Sequence, residues 1–470
     1  MNIIIVGAGL AGLTTAYKIQ RYCLQRKLQA QIKLLEGSKH VGGVIQTEMR
    51  DDFLLEKGPD CFISEKPAAL ELVKELQIES ELIGTQEEFR RSFILRGSKL
   101  YPVPEGLYLM APSAILPFIK SPMVSWRGKI RMLLEPLIPP SKQSVDESLG
   151  SFVRRRLGTE ALERIAQPMI AGIYSADPER LSLKATMPQF LEMERQYKSV
   201  IRALMAKRIT RKNEKGTSGP RYSLFLSFKK GMFTLIDALQ KSLGPEIIQT
   251  NSVVTKINKE SGKWIIGLAS GQNLKSNVLC IALPAPKCSP LLQNQAPEIA
   301  RILEQIEYTS IAIINFGYKK KQIGHPLDGM GFVVPRIENR KLIACSFSHQ
   351  KFLNRAPSQH VLLRAFVGFS SEERVNQEEL VLSIKKELNE ILTIQDEPLF
   401  TSCVFWRKAM PLYGLGHTDR INMLEKALAN YHDLYLTGNA YRGVGIPDVI
   451  RQADDVAKRI GEKLRPPSQG

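Results

Sequence analysis

The sequence predicts an α/β protein in which a Rossmann-like dinucleotide-binding domain is interleaved with a mixed-sheet domain and a helical domain. The first observation is a β-rich apolar run at residues 2–6 that ends in a glycine-rich turn. The second is a mostly helical pattern over residues 108–215, and the third is the return of strand patterns after it. With 470 residues, the chain has room for about three domains of ordinary size.

The opening of the chain has the pattern of a βαβ unit. Residues 2–6 are followed by helical character over 13–25 and by a second strand pattern at 31–35. Because such a unit joins parallel strands, we expect a parallel sheet. Further along, the patterns predict a helix at 67–76, a hairpin at 92–103 around Gly97, strands at 222–228, 253–257, 264–268 and 278–283, and a final strand, loop and helix over 434–459.

The composition is that of a globular protein in a reducing compartment. Hydrophobic residues make up 43% and charged residues 24%, which excludes a fully disordered chain. No apolar run reaches the length of a spanning helix, although residues 106–119 could dip into a bilayer surface, line an apolar pocket or form a buried loop and short helix. The six cysteines form no CxxC pair, so we expect reduced core thiols, no metal site and a cytoplasmic protein.

The formal net charge of +18 is concentrated in one segment. Residues 198–230 contain ten Lys and Arg against one acid, Glu214, and the middle of this segment, 212–219, is predicted to be a loop. The segment is either a solvated surface or a contact for anionic lipid or an acidic substrate. Nucleic acid is less expected as a partner, because no platform of interleaved aromatic residues accompanies the charge.

The glycine turn after the first strand predicts a phosphate-binding loop. Gly7 permits a tight turn, Gly9 lets the backbone approach a pyrophosphate, and Gly12 lets the following helix pack closely on the strand. The N-terminus of that helix attracts negative charge. Glu36 ends the second strand, where its carboxylate can accept hydrogen bonds from a ribose diol, and Gly42 and Gly43 follow shortly afterwards.

A second glycine-rich junction between a strand and a helix lies near the C-terminus. Gly438 and Asn439 follow a strand, and Gly445 and Ile446 precede Pro447, which suits the first turn of a helix. A helix N-terminus aimed at a ring system can stabilise negative charge there, which favours FAD over NAD. The sequence has no second GxGxxG in a strand–helix context and no cysteine after Cys403, so we expect non-covalent FAD and no NAD(P)H domain.

Beyond these motifs, the chain resembles the FAD-dependent protoporphyrinogen/coproporphyrinogen III oxidases of haem biosynthesis, within the amine-oxidase-like flavoprotein superfamily. The resemblance runs nearly end to end. Its specific pieces are the segments 128–139, 147–157 with the SFVRRRLG run, 170–178, 325–332, 354–357 and 443–448.

The resemblance implies that the chain strips six hydrogens from a porphyrinogen in three hydride transfers to flavin N5. Oxygen is then the acceptor and H₂O₂ the product. It also implies that Arg91 pairs with a substrate propionate, with Arg90 able to replace it, that Phe366 packs on the macrocycle, that Gly172 lies near flavin and substrate, and that the backbone of Val254 meets the adenine. Protoporphyrinogen and coproporphyrinogen both remain open as substrates.

The resemblance also implies the domain organisation. Residues 1–85, 220–290 and 403–470 form the FAD-binding domain, 86–107 and 291–402 the substrate-binding domain, and 108–219 the helical domain. The family uses its helical block for peripheral membrane attachment, so contact with the inner face of the cell membrane is a hypothesis here, and a homodimer is another.

Three positions depart from the family pattern, and two other functions stay open. His40 replaces the usual arginine before the glycine pair, Phe369 replaces a glycine, and Ser346 replaces an apolar residue. One alternative is another FAD oxidase of the superfamily, such as an amine oxidase or a carotenoid desaturase. The other is a binding protein that keeps the dinucleotide fold without catalysis.

Overall fold

The structure is a computed structural model that describes residues 1–141, 145–214 and 223–464. Its helices are α1 (Leu10–Arg26), α2 (Pro67–Glu75), α3 (Ile115–Lys120), α4 (Trp126–Leu133), α5 (Leu149–Leu157), α6 (Thr159–Ala161), α7 (Gln167–Tyr174), α8 (Leu183–Thr186), α9 (Pro188–Tyr197), α10 (Val200–Glu214), α11 (Phe233–Leu243), α12 (Ala285–Leu292), α13 (Pro297–Glu304), α14 (Ser348–Lys351), α15 (Gln377–Leu392), α16 (His417–Leu428) and α17 (Ile446–Lys463).

The strands lie before and after the helical run from α3 to α10. They are β1 (Asn2–Val6), β2 (Gln31–Leu35), β3 (Thr47–Arg50), β4 (Phe53–Glu56), β5 (Phe62–Ile63), β6 (Leu82–Gly84), β7 (Phe93–Arg96), β8 (Lys99–Pro102), β9 (Leu107–Tyr108), β10 (Ala111–Pro112), β11 (Phe225–Phe228), β12 (Ile248–Gln249), β13 (Val254–Glu260), β14 (Lys263–Leu268), β15 (Asn273–Ser276), β16 (Val278–Ile281), β17 (Tyr308–Lys319), β18 (Gly331–Val333), β19 (Leu342–Phe347), β20 (His360–Phe369), β21 (Phe400–Pro411) and β22 (Leu434–Leu436).

The parallel sheet expected from the opening βαβ pattern is present, in the order β12-β2-β1-β16-β22. Helices α1, α11 and α17 cover one face with a shared core. In α17 the buried residues recur at a spacing of three and four, for example Val449, Ile450, Ala453, Val456 and Ala457, which gives the helix one apolar face. This sheet brings the N-terminal glycine turn and the C-terminal junction to the same edge.

A second, mixed sheet has seven strands in the order β21-β17-β20-β19-β18-β7-β8. It includes the expected hairpin around Gly97, formed by β7 and β8. The residues Ala312, Ile314, Ala365 and Val367 of one face pack in a core with the apolar face of α15. The other face is turned toward the rest of the protein.

The helical block folds around its own core, with Phe152, Ile165, Ile170 and Phe190 fully buried. Between α6 and α7 the helix widens into a π-turn over Leu162–Ala166. Pro168 lies just beyond and has no N–H to donate to the preceding turn, which accounts for the irregularity. Among residues 1–141, 145–214 and 223–464 we find no helix with the length and apolar character needed to cross a bilayer.

Three expectations from the sequence change in detail. Helix α10 continues through Glu214, so residues 212–214 are helical rather than part of a loop, and 215–219 lie outside the described residues. Within 106–119, Met110 and Ala111 are buried whereas Leu116 is 73% exposed, so this segment is part core and part surface. Since β21 belongs to the mixed sheet and α12 and α13 pack on the parallel sheet, we propose domain boundaries near 306 and 411 instead of 290 and 403.

Four of the described cysteines, Cys23, Cys280, Cys288 and Cys345, are buried free thiols, as expected. Burial raises the pKa of Cys280 to about 12, so this thiol stays protonated at neutral pH.

Candidate flavin and substrate site

Each of the three positions in the first turn is glycine for a different structural reason. Gly7 has a φ of +100°, and a Cβ there would lie 2.9 Å from the carbonyl oxygen of Ala282. A Cβ on Gly12 would lie 1.9 Å from the carbonyl oxygen of Gly7. Gly9, the N-cap of α1, has an ordinary φ of −73°, and no described atom lies within 4 Å of the Cβ position. The fold therefore needs Gly7 and Gly12, whereas Gly9 leaves open space before a helix N-terminus.

Glu36 reaches back to this turn. Its Oε2 accepts a hydrogen bond from the Ala8 N–H at 2.8 Å, and its Oε1 accepts one from the Ser38 N–H at 2.9 Å. Gly42 donates its N–H to the carbonyl of Ala8 at 2.8 Å, and a Cβ on Gly43 would lie 3.3 Å from the Cα of Gly9. The structure thus brings the glycine turn, Glu36 and the glycine pair together.

The segment expected to meet an adenine lies beside Glu36. The N–H of Ser252 donates to the Glu36 carbonyl at 2.7 Å, and β13 begins two residues later at Val254. The Val254 side chain packs against a core, whereas Val253 is 48% exposed and would contact a Cβ on Gly37 at 3.3 Å. The sequence reasoning missed Val253, which had no motif of its own.

The C-terminal junction, like the first turn at Gly9, has unoccupied space beside one of its glycines. Gly438 has a φ of +137°, and none of the described atoms comes within 4 Å of its Cβ position. Gly445 is the N-cap of α17, which begins at Ile446. Asp448 in its first turn forms an ion pair with Lys66 at 2.6 Å. Lys66 was not expected at this site, because it lies in a segment of ordinary loop composition.

Phe366 lies in the middle of an apolar row that crosses the mixed sheet. Residues directly opposed in an antiparallel ladder project from the same face. The register therefore gives one row across five strands: Val333, Ala344, Phe366, Ile313 and Val404. On the same face, a neighbouring row contains Ser346, Arg364, Asn315 and Ser402.

This sheet face contacts both of the other domains. At the β21 side, Trp406 Nε1 donates to the carbonyl of Lys57 at 2.5 Å, and the Arg364 guanidinium donates to the carbonyl of Gly58. At the β18 side, a side chain on Gly172 would meet Val333 Cγ1 at 3.7 Å. The apolar row around Phe366 therefore spans the distance from the dinucleotide-binding domain to α7 of the helical domain.

Arg91 and Arg90 have different surroundings. Arg91 is half exposed, and its guanidinium pairs with the side chain of Asp328, itself 39% exposed. Arg90 donates to the hydroxyl and the carbonyl of Thr85 and pairs with Glu87 at 3.1 Å, so its guanidinium is already engaged. Arg336, which the sequence did not single out, is 77% exposed and pairs with Asp177 at 2.8 Å. Arg91 and Arg336 lie beyond opposite ends of β18.

Within the part of the chain that the structure describes, no three His, Cys, Asp or Glu side chains are grouped as metal ligands. Burial lowers the pKa of His349 and of His417 to about 4, so both rings are neutral near pH 7.

Comparison with known proteins agrees with this geometry. A model of the flavin containing amine oxidoreductase family matches residues 10–461. The chain is 31% identical over 455 residues to the coproporphyrinogen III oxidase of Bacillus subtilis (strain 168), covering 96% of each chain. It is 26% identical to the mitochondrial protoporphyrinogen oxidase of Nicotiana tabacum, covering 98% of this chain and 94% of the relative.

A solved structure supports the same assignment. The crystal structure of an Exiguobacterium sp. 255-15 protein, provisionally named protoporphyrinogen oxidase, superposes with a TM-score of 0.86 at 28% identity, covering 98% of this chain and 99% of that one. The chain is a flavin-dependent oxidoreductase that belongs to the flavin containing amine oxidoreductase family.

Proposed function

We propose that the chain oxidises a porphyrinogen to the porphyrin in haem biosynthesis, with non-covalent FAD and with oxygen as electron acceptor. The observation that carries the proposal is the apolar row around Phe366, which runs from the dinucleotide-binding domain to Gly172 on α7. Oxidation of a macrocycle with an apolar body needs such a surface more than it needs a nucleophile or a metal. The named functions of the relatives support the same reaction.

The residues fit FAD. The open space at Gly9 before α1 suits the diphosphate, and the Glu36 carboxylate suits a ribose diol. Val254 and its neighbour Val253 suit the adenine, and Gly438, Asn439, Gly445 and Ile446 would hold the ring system. When bound, FAD supplies the acceptor for each of three hydrides and hands the electrons to oxygen, with H₂O₂ as product. The chain's own residues bind and orient the macrocycle and exclude water from it.

We further propose coproporphyrinogen III as the better of the two substrates. It carries four propionates where protoporphyrinogen carries two, so it gains more from cationic groups around the site. Arg91 and Arg336 are half or more exposed, and their ion pairs with Asp328 and Asp177 are exposed too. Such pairs contribute little stability, so a substrate carboxylate can replace the aspartate and be held by two parallel hydrogen bonds.

The first test is anaerobic reduction of the FAD-loaded protein by each porphyrinogen separately, followed through the visible absorbance of oxidised flavin. We expect faster bleaching by coproporphyrinogen III and recovery when oxygen is admitted. The double variant Arg91→Met, Arg336→Met should raise KM for coproporphyrinogen III by about tenfold or more, with a smaller effect on protoporphyrinogen. Arg195→Met removes another exposed arginine, on α9, and serves as the matched control.

Three outcomes would contradict parts of this proposal. Faster bleaching by protoporphyrinogen would reverse the substrate assignment. A yellow protein that neither porphyrinogen bleaches would indicate a different oxidase of the superfamily. A colourless protein that takes up no FAD would indicate a binding protein.

We also propose a peripheral contact with an anionic membrane through the helical domain. Trp126, Ile130, Leu134 and Leu137, which we name the α4 stripe, recur at a helical spacing and are 48% to 74% exposed. Exposed basic side chains, Lys120 and Arg127, lie beside it. An apolar stripe flanked by cations is typical of helices that lie in the membrane interface.

Flotation with vesicles that contain phosphatidylglycerol tests this contact. We expect Trp126→Glu to lower the bound fraction of protein by about tenfold or more. The variant replaces an apolar side chain that would be buried in the membrane with a charge that anionic lipid repels. Leu382→Glu places the same charge at an equally exposed leucine on α15 and should leave binding unchanged. Equal flotation of both variants, or no flotation of the wild type, would remove the α4 stripe as a membrane contact.

A further inference from the structure

We propose that Tyr413 and His417 are positioning residues that hold the C-terminal junction in the shape that binds FAD. The junction loop is defined here as residues 439–443. This inference rests on the proposed function, because it concerns how tightly the same cofactor is held. It names two residues that lie outside the two glycine-rich junctions described in the sequence analysis.

Tyr413 closes the junction loop with a single hydroxyl group. Its O–H donates to the carbonyl of Asn439 at 2.7 Å. The hydroxyl oxygen of Tyr413 in turn accepts a hydrogen bond from the N–H of Gly443 at 2.8 Å. The two ends of the loop are thereby joined through one atom. The Tyr413 side chain is fully buried, at 2% exposure, so water does not compete for these hydrogen bonds.

His417 holds the middle of the loop. Its Nε2 lies 3.0 Å from the carbonyl oxygen of Tyr441. Since a carbonyl only accepts, Nε2 must carry the proton, and the neutral ring is consistent with the lowered pKa of His417. The imidazole stacks on the Tyr413 ring with 3.9 Å between centroids and 14° between planes. The two side chains form one rigid unit behind the loop.

Gln452 also holds the C-terminal end of the loop, because it accepts from the Arg442 N–H at 3.0 Å and donates to the Gly443 carbonyl at 3.3 Å. Tyr413 and His417 are the residues that hold its start and its middle. Gly438, directly before it, and Gly443, at its end, have φ angles of +137° and +111°, in the region that glycine adopts without strain. A segment flanked by two such glycines can adopt many backbone conformations. Together with those to Gln452, the hydrogen bonds to Tyr413 and His417 select one of them before the cofactor arrives.

The clamp is itself anchored on the helical domain. The N–H of Ser182 donates to the carbonyl of Tyr413 at 2.8 Å. Asp146 accepts from the N–H of Gly416 at 2.9 Å and from the hydroxyl of Ser182 at 2.8 Å. The junction loop is therefore positioned by residues that pack against the helical domain, which links the cofactor site to the domain on the other side of the substrate surface.

The test compares Tyr413→Phe, His417→Leu and His417→Gln with the wild type. Titration of apoprotein with FAD, followed by quenching of flavin fluorescence, gives Kd, and a dye titration gives the flavin reduction potential. We expect Tyr413→Phe and His417→Leu each to raise the Kd for FAD about tenfold and to shift the potential, because the loop is no longer preorganised. His417→Gln retains a donor near Nε2 and should stay within about twofold of the wild type.

Tyr431→Phe is the matched control. It also removes one hydroxyl that donates to a backbone carbonyl, that of Gln295 at 3.0 Å, but it lies away from the junction loop. We expect it to lower the melting temperature of the apoprotein without changing the Kd for FAD. If Tyr413→Phe lowers only the melting temperature and leaves Kd and potential unchanged, the positioning role is wrong. If the wild type binds no FAD, the proposed function fails and this inference fails with it.

Discussion

Replacing Gly9 by Thr is expected to lower the affinity for FAD by at least about 100-fold while leaving the stability of the apoprotein unchanged. The backbone of Gly9 has φ −73° and ψ −177°, which a β-branched residue adopts readily. Gly9 is the N-cap of α1, where Thr and Gly are about equally favourable. None of the atoms that the structure describes lies within 4 Å of the Cβ position, so the added Cβ meets no protein atom.

The loss of affinity follows from the same open space. A threonine side chain would fill the volume through which a diphosphate approaches the first N–H groups of α1. The apparent Kd from an FAD titration and the melting temperature of the apoprotein measure the two effects separately. Binding of FAD by Gly9→Thr with wild-type affinity would show that the diphosphate does not lie at this turn.

Gly12→Ala gives the opposite pattern and serves as the control. The added Cβ would lie 1.9 Å from the carbonyl oxygen of Gly7, so α1 has to move away from β1. Overpacking of this kind costs about 1–3 kcal/mol, more than alanine contributes as a helix former. We therefore expect Gly12→Ala to lower the melting temperature of the apoprotein, which Gly9→Thr does not. Two glycines three residues apart in one motif thus serve the ligand and the fold respectively.

The sequence predicted the parallel sheet and its glycine turn because that information is local. The strand Asn2–Val6, the turn and the strand Gln31–Leu35 are adjacent in the chain, and their periodicity alone implies a βαβ unit. The same holds for the hairpin around Gly97 and for the last strand and helix. In each case, the residues that determine the element lie inside it or next to it.

The surroundings of the site residues could not be predicted in this way. The row on which Phe366 lies is assembled from β17, β18, β19, β20 and β21, and its membership depends on the register of each ladder. Arg91 and Arg90 are neighbours in the sequence, yet Arg90 also donates to the hydroxyl and carbonyl of Thr85, whereas Arg91 pairs with Asp328. The Tyr413 and His417 clamp depends on contacts across 24 to 30 residues, which no spacing rule gives.

In the SFVRRRLG run, the sequence does not indicate which of the three arginines is buried. Its three consecutive arginines suggest a solvated basic turn. Arg154 is indeed about half exposed, and Arg155 is partly buried against Glu147 and Glu194. Arg156, however, is fully buried. Only the contacts of α5 with residues 135–139 and with Lys198 decide which of the three lies inside.

Replacing Arg156 by Met is therefore expected to lower the free energy of unfolding by about 3–5 kcal/mol. Arg156 Nε donates to Glu135 at 2.7 Å, and the guanidinium also donates to the carbonyls of Ile138 at 2.7 Å and Lys198 at 2.9 Å. Glu135 is also fully buried, so the variant would leave its carboxylate without a counter-charge in the core of the helical domain.

The buried pair also determines where α10 begins. Glu135 accepts the N–H of Val200 at 3.0 Å and the hydroxyl of Ser199 at 2.5 Å, so it supplies acceptors for the first turn of that helix. Glu135→Gln keeps an acceptor and removes the charge. We therefore expect the double variant Arg156→Met, Glu135→Gln to regain part of the loss. Urea unfolding of the wild type, of Arg156→Met and of the double variant measures these free energies of unfolding directly.

Arg154→Met, two residues away, is the matched control. Its ion pair with Glu179 is exposed, so the loss should stay below about 1 kcal/mol. A loss of that size for Arg156→Met as well would show that the buried carboxylate finds another partner or a proton. Neither arginine contacts the glycine turn, so these variants separate a loss of stability from a loss of FAD affinity. Arg156→Met should destabilise the chain with the Kd for FAD little changed at low temperature, whereas Gly9→Thr should weaken FAD binding in a protein of wild-type stability.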